Sequence, residues 1–122
     1  CEAILETDAS LVVYAQSGSA LIAMAKSMHL KTCSEVFADR SYEPDGSLTP
    51  RTASHALLLD EEKVVAQVLQ MVMQQTVMAG GQAIPVKAET ICIHGDGAHA
   101  LDFAMRIVEA LKENNIGVVS KV

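Results

Sequence analysis

Apolar and polar positions along the chain fall into short β-branched runs separated by stretches of helical periodicity. Residues 10–15 (SLVVYA) are apolar and rich in valine, which predicts a buried strand. Residues 16–19 (QSGS) break that run, and Ser17 or Ser19 can cap a helix whose Leu21, Ile22, Ala25 and Met28 keep helical spacing. Residues 32–37 predict a second strand, with Val36 on the face opposite Glu35 and Phe37. A polar loop follows over 38–49, carrying the turn signature Pro44, Asp45, Gly46. Residues 55–59 are apolar but too short to classify. Asp60 caps a long helix with Glu61 and Glu62 in its first turn and Val64, Val65, Val68, Leu69 and Val72 as its buried stripe. Gly80 and Gly81 end that region, and 82–88, which holds Pro85, reads as a connection or edge strand. Residues 90–93 predict a third strand. Asp96, placed as an N-cap, and Gly97 lead into a helix with Leu101, Ala104, Ile107, Val108 and Leu111 on one face. Asn114 and Asn115 stop it, and 116–119 fit a final strand.

The order β-α-β-loop-α-(β)-β-α-β predicts an α/β fold, a parallel sheet with right-handed helical crossovers. There is no internal repeat, low-complexity tract or linker, so residues 1–122 are expected to form one unit. Three or four parallel strands leave two open edges, whereas parallel sheets usually have covered faces and managed edges. The expectation is therefore part of a larger sheet or barrel. The start at Cys1 rather than methionine points the same way, to an N-terminal portion outside these residues. Self-association, or pairing with that portion, would cover the open edges.

Composition narrows the function. Half of the residues are hydrophobic and only 3% aromatic, so valine, isoleucine, leucine, alanine and six methionines must build the core. No apolar run approaches the ~20 residues of a membrane span, and the start lacks the basic flank and apolar core of a secretory leader. A net charge of −6 repels a phosphate backbone and argues against a nucleic-acid partner. Cys1, Cys33 and Cys92 form no CxxC pair, and free thiols within apolar strands fit a cytoplasmic protein.

Chemistry-bearing residues concentrate in 34–51 (SEVFADRSYEPDGSLTPR) and, more briefly, in 90–97 (TICIHGDG). Both are apolar strands that exit into polar groups, and sites in α/β proteins form at the carboxyl ends of parallel strands. His94 at such an exit suits an acid/base, ligand or phosphate contact. Asp96 combines a helix cap with an anion-attracting glycine-rich turn around Gly95. Glu35, embedded in a strand, needs a cationic partner, for which Arg40 and Arg51 are candidates. A structural ion pair holding the loop is the competing account of Glu35 and Asp39. Tyr42 can pack, close the loop or touch substrate. His29, His55 and His99 read as structural, and no His/Cys/Asp spacing forms a complete metal site.

SEVFADRSYEPDGSLTPR and TICIHGDG, with SGSALIAMAKSMHL after the first strand and HGDGAHALDFAMRIVEAL near the last helix, closely resemble the LamB/YcsF family. That family comprises the A subunit of the bacterial ATP-dependent 5-oxoprolinase, and the likeness runs from about Asp8 onward, over its C-terminal half. The resemblance implies a (β/α) barrel similar to the polysaccharide deacetylase type, with this chain as its C-terminal half. It also implies ring-opening of 5-oxo-L-proline to L-glutamate, driven by ATP and requiring two partner subunits. The matching positions are Glu35, Asp39, Arg40, Tyr42, Asp45, Gly46, Arg51, His94, Gly95 and Asp96. On this basis His94 with Asp96 or Glu35 would handle protons, while Asp39, Arg40, Tyr42, Arg51 and Gly95 would hold substrate or phosphate. A divalent metal stays open. The family's N-terminal half, with its own polar residues, is absent here. Two other readings compete: a metal-dependent, deacetylase-like amidohydrolase that works without ATP, and a non-catalytic assembly module.

Overall fold

The computed structural model describes residues 1–120. The elements are α1 (Glu2–Asp8), β1 (Val12–Gln16), α2 (Ala20–Ser27), β2 (Lys31–Phe37), α3 (Glu61–Gln74), β3 (Thr76–Ala79), β4 (Gln82–Pro85), β5 (Thr90–Cys92) and α4 (Ala100–Glu113). β1, β2 and β5 form a parallel sheet in the order β1-β2-β5, and β3 and β4 form a separate antiparallel hairpin. The α/β class and the helical crossovers between parallel strands are those the sequence predicts.

Helix ends follow local chemistry. Ser19 Oγ accepts from the Ile22 N–H at the start of α2, and Asp60 Oδ1 accepts from Glu62 and Lys63 at the start of α3. α2 and α4 stop in the same way. His29 and Asn115 adopt left-handed backbone with φ 59° each. Leu30 N–H then donates to Ala25 O, and Ile116 N–H to Leu111 O, closing both helices with the bond pattern of a Schellman motif.

The main core lies between β2, α3, α4 and the hairpin. Val36, Val64, Val68, Met71 and Val77 are all at most 1% exposed, and each such burial contributes about 1.5–3 kcal/mol. A smaller cluster of Val13, Ala25 and Leu30 is covered by Cys1 and Ile4 of the α1 region. Among the described residues no cysteine is joined in a disulfide.

Several expectations are corrected. Helix α1 carries no buried residue, and so no apolar stripe announced it. Gly80 and Gly81 do not end a helix; with φ 56° and 83° they are the two-residue turn of the β3–β4 hairpin. Helix α3 stops earlier, at Gln75 in left-handed backbone. Residues 116–119 form no strand, and Val118 and Val119 lie exposed. The buried stripe of α4 is Phe103, Ile107, Ala110 and Leu111, leaving Leu101 and Val108 exposed. Met71 joins Val64 and Val68 on the buried side of α3, where Val65, Leu69 and Val72 are only partly covered.

Candidate functional site

The register of the sheet builds the site. Parallel pairing sets Glu35 against Thr90 and Phe37 against Cys92, and Ala38 N–H continues the ladder by donating to Cys92 O at 3.0 Å. The next side chains on that face, beyond the last pair, are Asp39 and His94. Their separation along the chain is the same as that of Phe37 and Cys92, so they leave the sheet side by side. His94 Nδ1 lies 2.8 Å from Asp39 Oδ1 and 3.0 Å from Oδ2. The imidazole also stacks on Phe37, with ring centroids 6.1 Å apart.

Arg51 completes the array from the loop between β2 and α3. Its Nη2 is 3.0 Å from His94 Nε2. A guanidinium has donors only, so in this arrangement Nε2 accepts and the imidazole proton sits on Nδ1, donated to Asp39. Asp39 is buried and Arg51 exposed. The row therefore runs from a shielded carboxylate through the ring to a solvent-facing cation. Beside it opens a cleft of about 220 Å³, lined by Asp39, Arg51, His94, Asp96, Gly97 and His99, with Leu57 to Leu59 and Phe103 as its apolar wall.

The remaining sequence candidates are placed differently. Arg40 is 6% exposed and is committed to the loop: Nε donates to Ala56 O at 3.2 Å and Nη2 to Thr49 O at 2.7 Å. Tyr42 is buried, and its hydroxyl accepts from Phe37 N–H at 2.9 Å. Burial raises the phenol to about 12, against a smaller lowering by that hydrogen bond. Glu35 does not line the cleft and pairs with neither Arg40 nor Arg51; it sits close enough to Cys92 and Tyr42 to affect both. Burial, and then the Glu35 and Asp39 carboxylates, raise the Cys92 thiol above its usual range, which disfavours the nucleophilic thiolate. Asp96 is exposed at the cleft rim but does not cap α4, whose N-cap is His99. Gly95 is exposed in the same turn.

Asp45 and Gly46 shape the loop. Asp45 Oδ1 accepts from the Ser47 N–H and hydroxyl, which holds its carboxyl below the usual range. Gly46 has φ 86°, and its carbonyl accepts from Gln16 Nε2, tying the turn to the exit of β1. Among the described residues no group of three His, Cys, Asp or Glu side chains is placed to hold a metal ion, and no helix is long and apolar enough to cross a membrane.

One contributor was not singled out from the sequence. Gln67 of α3 points its amide nitrogen at the carbonyls of Phe37, Ala38 and Arg40, at 3.2, 3.0 and 2.9 Å. The signal available was a polar residue directly before Val68 on the helix side that carries the buried stripe.

The comparisons agree with this architecture. The model of the LamB/YcsF family matches residues 1–121. The A subunit of a 5-oxoprolinase from Tolumonas auensis is 49% identical over 117 residues, covering 95% of this chain and 47% of the relative. Its counterpart from Clostridium beijerinckii is 43% identical over 120 residues, covering 98% and 47%. A crystal structure of a lactam utilization protein from Thermus thermophilus superposes with a TM-score of 0.87 at 29% identity, over 96% of this chain and 47% of that one. The chain thus spans about half the length of these relatives, and it belongs to the LamB/YcsF family.

Proposed function

We propose that this chain supplies part of the reaction centre of an ATP-dependent 5-oxoprolinase, as a portion of its A subunit. The observation that carries the reading is the row Asp39–His94–Arg51 at the mouth of two parallel strands, with an open cleft beside it. The names of the relatives supply the substrate class. An unstrained lactam is a stable amide, and transfer of a phosphoryl group from ATP to its oxygen would make the ring carbon open to water.

The side chains divide that work by their geometry. Asp39 fixes the ring of His94 and its tautomer, leaving Nε2 as the nitrogen that meets a reactant. Arg51 is the exposed cation and holds the substrate carboxylate or a phosphate, and in moving to it uncovers Nε2. His94 Nε2 then takes a proton from the attacking water and returns it to the ring nitrogen as the C–N bond breaks. The acyl phosphate left on the former ring carbon is hydrolysed by a second water to the carboxylate and inorganic phosphate. Asp96 at the rim is a further acceptor for water. Arg40 and Tyr42 serve the same reaction by holding the loop. A cytoplasmic setting, the remainder of the barrel and the two partner subunits belong to the same reading. We expect no lactam turnover by these 122 residues alone.

The test is His94→Ala in the full-length protein assembled with its partner subunits, assayed by 5-oxoproline-dependent ATP hydrolysis. Loss of an acid/base group predicts a fall of about 10²–10⁴-fold. Near-normal turnover would remove His94 from the reaction.

A further inference from the structure

We propose that Gln67 is the positioning residue of the Asp39–His94 pair, an inference that rests on the reading of this pair as the reaction centre. The chain makes a tight change of direction where β2 ends, and its carbonyls there must find partners inside the fold. Gln67 Nε2 takes three of them, Phe37 O, Ala38 O and Arg40 O, at 3.2, 3.0 and 2.9 Å. The fourth, Asp39 O, accepts from Leu58 N–H at 2.9 Å. Since all three partners of the Gln67 nitrogen are acceptors, the amide orientation is fixed: the NH₂ faces the turn.

An NH₂ group has two protons, so the three carbonyls share them, and the two shortest contacts flank Asp39 on either side. The residue whose side chain meets His94 is therefore clamped at the backbone before and after it. The clamp is mounted on a stiff support, because Val64 and Val68 of the same helix are at most 1% exposed. Without the amide, Phe37, Ala38 and Arg40 lose that donor and the turn relaxes to find water. The Asp39 carboxylate then shifts relative to the ring. Displacements of about 1 Å at a reacting group cost on the order of 10²-fold in rate.

The experiment compares Gln67→Leu with the unaltered full-length protein. The first readout is the imidazole Nδ1 proton by NMR, assigned by its absence in His94→Gln; its exchange with water reports the Asp39 contact directly. The expected result is exchange faster by about tenfold or more, with kcat in the assembled enzyme reduced by about 10²-fold and KM little changed. Val77→Ala, a core truncation in β3, lowers stability and should leave the proton signal as it was. If the leucine variant does not fold, Gln67→Asn keeps an amide one methylene too short and should show the same loss in lesser degree. An unchanged exchange rate in either folded variant overturns the proposal. Faster exchange with unchanged turnover supports the positioning role, and it would show that the pair is not the reaction centre.

Discussion

Arg40 separates two accounts of the loop that carries Arg51. Its motif neighbours suggest a phosphate-binding arginine, whereas its contacts are two backbone carbonyls inside the fold. Replacing Arg40 by Met keeps most of the volume and removes all donors. Ala56 O keeps another partner, the Ser41 N–H at 3.1 Å, and so loses little. Thr49 O belongs to a residue only 2% exposed and loses its donor. An unsatisfied buried carbonyl costs about 1–3 kcal/mol, and the charge-assisted bond itself contributes about 1.5–3 kcal/mol. Against this stands relief from burying a guanidinium that forms no ion pair among the described residues. The balance is a destabilisation of about 2–4 kcal/mol. Urea unfolding of the full-length protein should show a lower midpoint with an unchanged slope. Turnover of the fraction still folded should fall by less than about tenfold. A loss of stability below about 1 kcal/mol, together with a large rise in KM for nucleotide, would refute the reasoning and return Arg40 to the phosphate.

Arg51 should behave in the opposite way. It is exposed, so Arg51→Ala should change stability by no more than about 0.5 kcal/mol, while KM for the anionic substrate rises; a KM unaffected by the change would exclude Arg51 from binding. Tyr42 makes the protein sensitive to alkali. Its folded value, about 12, exceeds the ordinary 10, so its stabilising contribution is complete below pH 10 and is lost as pH rises toward 12. The loss amounts to about 2–3 kcal/mol, read from unfolding free energy against pH. Tyr42→Phe should flatten that limb, and an equally steep decline in the variant would locate the sensitivity elsewhere.

Much of this arrangement was legible in the chain itself. Val36 between Glu35 and Phe37, and the apolar run before His94, were enough to place both strands and to send their exits to one rim. The partner of the histidine was less accessible. Glu35, Asp39 and Asp96 are chemically similar, and only the pairing register chooses Asp39. Arg40 and Arg51 were likewise equivalent as letters. Their fates differ because the loop folds back on itself, with Ser41 and Leu58 bonded to Ala56 and Asp39, and this encloses the first arginine among carbonyls. Non-local backbone bonding of that kind has no periodicity to read. The β3–β4 hairpin is another matter: Gly80 and Gly81 between TVMA and QAIP carry a two-residue turn signal that the helical pattern upstream obscured.

The register also explains why so few side chains suffice to define the rim. In a parallel pair, residues level with one another project to the same face, and a shift of one position sends the whole set to the other side. Asp39 and His94 meet because Phe37 and Cys92 are paired and the bond from Ala38 N–H to Cys92 O carries that alignment to the exit. The buried side chains that enforce the register, Val36 above all, are thus as responsible for the carboxylate–imidazole contact as the two residues that make it. Gln67 acts on the same contact from outside the sheet, where the ladder has run out of bonds and the carbonyls of the turn have no strand to pair with. One helix amide there takes over from the sheet, and the geometry fixed by strand pairing is carried past the last strand residue to the group that meets the ring.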